Sequence, residues 1–470
     1  MHSIGLRYLT IVLGAGLGVP AGAATWVVDT LEDAPDTLAG DGTCLAAGLG
    51  CTLRAAIQEA NALPGVDQID IPGGSYFLKL RQATVDDTAV SGDLDILEPL
   101  TLRGVANAQL AMIQDHFILH TVEGERLFDV QTGDADVPVR FENLLLSFGK
   151  SHDSLGGGAI LVRAGSAAVV DRSILYANGA DAVGNAMAVY GSADLTRSHV
   201  FDNHRSFDGA PGIGGGGIYV APGASLRIDA SAFDSNTHCR GGALFADGPS
   251  TVQIRGTTFL GSSANPLGGC EDSNGLGDII ALRGAVTLTV ENSTLGEARQ
   301  LLHTAGADAR ILLRHVTQHS SSLAGGWTLA GSGAELALSN SVIGRGASMD
   351  WCTLAPDNQI INLGGNVFQH GPPCAISARP DDRIATDLAL TLLQLEDAGS
   401  GVSIERRSVF VPQVQSMVID AGLDAHCTTT DQLQNARPWP GPAAPPGHPA
   451  RCDAGAIEWP GVPLLVDGFE

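Results

Sequence analysis

The sequence predicts an all-β protein: a single right-handed parallel β-helix with one short helix capping its N-terminal end. Three observations carry the prediction. A motif recurs at steps of 22 to 36 residues, each copy holds short strands joined at glycine or small polar turns, and no copy contains a helical stretch of useful length.

The repeat is clearest from about Phe141 to Arg345. Copies open with a run of small residues that leads into a short apolar strand. Gly156-Gly157-Gly158-Ala159-Ile160, Gly214-Gly215-Gly216-Gly217-Ile218 and Gly241-Gly242-Ala243-Leu244 are three of them, and Asn185-Ala186-Met187 fills the same slot without glycine. A tight turn then leads into an alternating second strand, at 168–175, 194–200, 225–233, 252–259, 286–295, 309–316 and 335–343. A small polar residue near the end of each second strand marks the phase: Ser173, Ser198, Ser231, Thr257, Ser293, then His315 and Ser341. The steps between them are 25, 33, 26, 36, 22 and 26 residues. Insertions at 202–214 and 261–278 account for the long steps, and on solenoids such loops gather on the binding face. The pattern places Val169, Leu195, Leu226 and Val252 in one inward column.

In chain order, residues 1–23 read as a signal peptide. Arg7 supplies the positive region, Leu9 to Val19 a short apolar run, and Ala21-Gly22-Ala23 a small-x-small cleavage site. The run is too short to span a bilayer, and no later segment reaches that length. The expected location is therefore outside the cytoplasm: extracellular, on the outer cell surface, or periplasmic. Residues 24–66 form the N-terminal cap. Within it Leu53, Ala56, Ile57 and Ala60 follow helical spacing behind Thr52, a good N-cap, and such a helix would cover the exposed end rung. The β-helix is expected over 67–411, a closing segment over 412–458 and a tail over 459–470.

A formal net charge of −25 excludes a nucleic-acid binder, which needs clustered Lys and Arg, and reads most simply as a solvated acidic exterior. The eight cysteines of an exported chain read as disulfides. They fall into sequence-near pairs, Cys44/Cys51, Cys239/Cys270, Cys352/Cys374 and Cys427/Cys452. Eight cysteines allow 105 connectivities; a solenoid narrows them, since only neighbouring rungs touch.

Two stretches carry a resemblance. Cys51-Thr52-Leu53-Arg54-Ala55-Ala56-Ile57-Gln58-Glu59-Ala60-Asn61-Ala62, followed by Asp67-Gln68-Ile69-Asp70-Ile71-Pro72-Gly73-Gly74, resembles the opening motif of bacterial secreted β-helix proteins of the CSLREA type. Thr52 stands for the usual Ser and Ala55 for the usual Glu. Ser416-Met417-Val418-Ile419-Asp420-Ala421-Gly422, Asp431, Arg437-Pro438 and Asp453-Ala454-Gly455-Ala456-Ile457-Glu458 look like the closing segment of the same proteins, to which choice-of-anchor domain names are attached. Between them, Gly-Gly-Ala-Leu and Phe233-Asp234-Ser235-Asn236 are similar to the repeats of chlamydial polymorphic outer-membrane proteins. The resemblance implies a pectin-lyase-like fold, export and a terminal coil at 412–458; it implies no particular activity.

Chemistry has one candidate location. His152, Asp153, Asp181, Asp202, His204, Asp208 and His238 follow successive second strands, and stacking would bring Asp153, Asp181, Asp202 and His238 into one column. Paired carboxylates on adjacent rungs are what a glycoside hydrolase on this scaffold needs. Against this, Asp and Asn are ordinary turn formers, and Asn178, Asn203 and Asn236 recur at one phase as a structural ladder. The residue series of polygalacturonases and pectate lyases are absent, as are the calcium-binding Gly-Gly-x-Gly-x-Asp repeat and any Walker or Gly-x-Ser-x-Gly motif. No cofactor is expected, calcium being the one ion that Asp-rich turns suit. The leading expectation is an exported protein with a non-catalytic surface role, adhesion or binding of a glycan or envelope component. A polysaccharide lyase or glycoside hydrolase is the alternative.

Overall fold

The structure is a computed structural model that describes residues 22–81, 88–105, 110–115, 125–204, 214–264, 277–319, 326–344, 352–374, 376–396, 406–439 and 451–459. The expected signal peptide up to residue 21, Asp208, Cys270 and the expected tail from 460 lie outside the described residues.

The chain winds as a right-handed parallel β-helix. Each full coil contributes one strand to each of three long faces. In one coil, Ala167–Asp171 lies on the first face, Ile174–Tyr176 on the second and Met187–Val189 on the third. Strands of these faces pair in parallel with their counterparts in neighbouring coils, as Val170 does with Phe141 and Leu195. Among the described residues the third face is a sheet of ten strands, from Leu94–Ile96 to Cys352–Leu354.

The expected second strand is two strands at 168–175, 194–200, 225–233, 252–259 and 335–343, whereas Val286–Gly296 and Arg310–His319 each run as one. The chain bends where Arg172, Arg197, Ala230, Asn292 and Asn340 adopt φ between 45° and 47°. A left-handed residue followed by Ser or Thr turns the chain from the first face to the second. The hydroxyl then closes the bend from the coil above. Ser198 Oγ accepts the Ser173 N–H at 3.1 Å, Ser231 Oγ that of Ser198 at 3.2 Å, and Ser293 Oγ that of Thr257 at 3.2 Å. These backbone donors are buried, so each side-chain acceptor removes a penalty of about 1–3 kcal/mol. At His315 the phase slips by one: Ser293 pairs with Val316, and His315 takes the left-handed position at φ 51°.

Inward side chains stack coil on coil. Leu195, Leu226 and Val252 are buried, but only Leu226 and Val252 share one column; Leu195 pairs with Ile228, in the next inward column. Val169 is not in that column: it pairs with Asp194 on the outside, and its neighbours Ala168 and Val170 point in. The interior also holds a polar contact, Trp327 Nε1 donating to Gln318 Oε1 at 2.6 Å.

The helix Leu53–Ala62 sits across the first coils, capped by Thr52, whose hydroxyl accepts the Ala55 N–H. Leu53, Ala56, Ile57 and Ala60 are buried in the core. The polar residues of the opening motif are equally internal. Arg54 is fully buried, bonded to Asp33 at 2.6 Å and to the carbonyls of Ala89, Gly92 and Asp93. Glu59 accepts the N–H groups of Gly40 and Gly42, and Asn61 bonds Asp95 O and the Leu97 N–H. The motif is thus a set of ties that hold the cap loops to the first rungs.

The coils end at Arg383–Ala385. There the structure departs from the expected boundaries. Leu390–Glu396 and Arg406–Pro412 form an antiparallel hairpin, and the closing segment is not a terminal coil. It runs back along the outside of the first bend. Arg383 bonds the carbonyls of Met417, Ile419 and Asp420, and Asn340 bonds Leu423. Thr317 bonds the Ala456 N–H, and Gln432 reaches Thr294 and Thr258. The segment is a strap over successive coils, because its Asn, Gln and Thr partners satisfy outward groups of the bend.

Disulfides join Cys44 to Cys51, Cys352 to Cys374 and Cys427 to Cys452. Cys239 is also disulfide-bonded. No helix among the described residues is long and apolar enough to cross a membrane.

Candidate functional site at the second bend

The second bend joins the second face to the third, and an asparagine ladder fixes it. Gly149 donates to Asn178 Oδ1, Asn178 to Asn203 Oδ1 and Asn203 to Asn236 Oδ1, through backbone N–H groups at 3.0, 2.9 and 3.2 Å. The residue before each ladder position is left-handed: Phe148, Ala177, Asp202 and Ser235 have φ of 62°, 53°, 56° and 53°. After the ladder the chain makes short strands, Lys150–Ser151 against Gly179–Ala180 and Thr237–His238 against Ser263–Ala264. Side chains that follow these strands therefore stand on the outside of the bend.

The candidate residues gather here in pairs, not in a column. His152 Nδ1 lies 2.9 Å from Asp181 Oδ2. His204 Nε2 lies 2.6 Å from Asp202 Oδ1, and its Nδ1 3.0 Å from Thr237 Oγ1. Asp153 turns the other way, to Arg126 Nη2 at 2.7 Å, and accepts the Ser151 hydroxyl and the N–H groups of Leu155 and Gly156. His238 is buried, its Nδ1 accepting the Cys239 N–H at 2.7 Å. The expected column fails on register. Phe201 pairs with Tyr176, so Asp202 stacks on Ala177 at the bend itself, whereas Asp181 lies four residues past that position.

Electrostatics separate Asp153 from the rest. Burial works to raise its pKa, but the Arg126 guanidinium and the hydrogen bonds outweigh it and hold the carboxyl below its usual range. That suits an ion-pair partner and not a proton donor.

Beside the pairs runs an aromatic ridge that the sequence reading missed. Tyr176 and Phe201 stack at 4.6 Å, His199 stacks on Phe201 at 4.4 Å, and Phe148 meets Tyr176 edge-on at 5.8 Å. Phe148 is 40% exposed, and Tyr176 and Phe201 are half-buried. The signal was present: an aromatic residue stands two places before Asn178 and again before Asn203.

A second polar group lies on the third face near the cap. The carboxylates of Asp93, Asp95 and Asp129 converge closely enough to hold a cation. Guanidiniums already supply positive charge there. Arg126 Nη1 is 3.1 Å from Asp93, and Arg163 Nη2 is 2.6 Å from Asp129. Burial raises the Asp93 pKa against the pull of Arg126.

No protein-family model matches the chain, and no curated protein matches it. Among solved structures, the chain is similar to pectate lyase Pel9A, with a TM-score of 0.53 and 12% identity, covering 93% of this chain and 97% of that one. At this identity the likeness is one of fold.

Proposed function

We propose that the protein is exported and has a non-catalytic surface role, binding carbohydrate along the second bend. The ridge of Phe148, Tyr176 and Phe201, flanked by the His152–Asp181 and His204–Asp202 pairs, carries this reading. Sugar rings have apolar faces edged by hydroxyls. An apolar strip beside fixed acceptors and imidazoles matches both parts, and it repeats along the helix axis at the spacing of the coils. The carboxylates speak for binding over hydrolysis. A two-carboxylate mechanism needs an acid with a raised pKa facing an ionised partner, whereas Asp153, Asp181 and Asp202 each hold a separate cationic or imidazole partner.

The test is a panel of neutral and acidic polysaccharides offered to the chain from Ala24 onward, with and without calcium. Binding and product formation are both measured. The expected result is binding without new reducing ends or unsaturated products, weakened about tenfold or more in a Tyr176→Ser/Phe201→Ser double variant. Product release would replace this reading with a lyase or hydrolase. Binding to no glycan would remove carbohydrate as the ligand.

A further inference from the structure

Two outward columns run side by side along the third face. In coil order one reads Tyr219, Phe245, Ala281, His303. The adjacent one reads Asp247, Arg283, Ala305. Large side chains fill both until each drops to alanine in neighbouring coils. Ala281 falls between Phe245 and His303, and Ala305 follows Arg283. The missing volume is a recess of about 320 Å³, walled by Arg240, Phe245, Ala281, Arg283, His303 and Ala305.

Arg283 is held in place from two sides. Its Nε and Nη2 each lie 2.5 Å from the Asp247 carboxylate, which is itself buried and bonded by the Tyr219 hydroxyl at 3.0 Å. The guanidinium carbon sits 5.4 Å from the centre of the Phe245 ring. Nη1 donates to nothing among the described residues, and the side chain is 43% exposed. A rigid guanidinium with an idle nitrogen, over an aromatic ring and beside a recess, is a preorganised donor site for an oxyanion. Arg240 is part of the same wall. The volume is at the low end of the range of about 300–1,000 Å³ for small-molecule pockets, so it admits one ring.

We propose that this recess binds a single-ring carboxylic acid, its carboxylate at Arg283 and its ring against Phe245 and the two alanines. The site is on a different face from the second-bend ridge, and either can fail without the other. Titration calorimetry on the chain from Ala24 uses benzoate and glucuronate as probes, with benzyl alcohol and glucose as their uncharged counterparts. One acid is expected to bind at one site per chain, at least tenfold more tightly than its uncharged counterpart; which acid does so distinguishes a flat aromatic ligand from a sugar acid. Ala281→Leu is expected to weaken binding tenfold or more by filling the recess. Tyr176→Ser is expected to leave it unchanged. Arg283→Gln also strips Asp247 of its partner, so Ala281→Leu carries the test, with its thermal midpoint checked alongside. Equal binding of acid and uncharged probe, no binding of either acid, or an unaltered affinity in Ala281→Leu would overturn the proposal.

Discussion

Asn178 and Asn203 are joined twice: the backbone N–H and the Nδ2 of Asn178 both donate to Asn203 Oδ1, at 2.9 and 3.0 Å. Asn203 Nδ2 in turn reaches Leu175 O, Phe201 O and Asn236 Oδ1. One side chain thereby satisfies groups in three coils, and all of it is buried.

Replacing Asn203 with alanine takes the acceptor from the buried Asn178 N–H, one of the two partners from Asn178 Nδ2, which keeps Leu146 O, and a donor from the carbonyls of Leu175 and Phe201. At about 1–3 kcal/mol for an unsatisfied buried group, and with partial relaxation, Asn203→Ala should destabilise by about 2–4 kcal/mol. Urea unfolding of the variant reads this as a lower midpoint. Asn203→Asp would turn a buried carboxylate oxygen toward Leu175 O, Phe201 O and Asn236 Oδ1, all acceptors, so it should destabilise at least as much at neutral pH. A midpoint unchanged in both would mean that the ladder contributes nothing net.

Much of this was legible beforehand, and the reasons differ by element. The coil stack follows from alternation and the recurring Ser and Asn phases, because a side chain that must face its copy in the next coil has to recur in sequence. The cap helix follows from Leu53, Ala56, Ile57 and Ala60. The extra bend at Arg172 was hidden because a left-handed arginine or alanine has no signature residue, unlike glycine. That bend also put Val169 outside. The strap was hidden because its contacts, such as Thr258 to Gln432, join residues 174 apart. The candidate site was half legible: its polar residues were named, but their register depends on where the bend falls.

The glycine run at the start of a coil has a second role beyond turning. Gly158 does not need a positive φ, yet an added Cβ would lie closer than 3.0 Å to the carbonyl oxygens of Gly149, Gly179 and Asn185. Backbone from adjacent segments occupies the space. Gly158→Ala should therefore destabilise by about 1–3 kcal/mol through forced separation of coils. The thermal midpoint of the variant against that of the unaltered chain reads the difference.

The strap should hold better in acid than in base. Asp431, Asp453 and Glu458 are buried around the single buried guanidinium of Arg437, with Arg383 and Arg451 also near. Arg437 bonds Glu458 Oε2 at 2.9 Å, and Glu458 also accepts the Asp453 N–H at 3.0 Å. Burial first, and then the Glu458 charge, push the Asp453 carboxyl up to about 8. Glu458 is raised as well, by burial. A carboxyl raised from 3.8 to about 8 on folding binds its proton more tightly in the fold. Its favourable contribution is complete below the unfolded value of 3.8 and is lost as pH rises toward and through about 8. Hydrogen exchange over residues 416–423 and 451–459 should therefore be slower at pH 5 than at pH 9, while the ladder amides at Asn178 and Asn203 show no comparable change beyond the intrinsic rate. Asp453→Asn fixes the neutral form and should flatten the dependence. Equal protection at both pH values, or a dependence that survives in Asp453→Asn, would place the titrating group elsewhere.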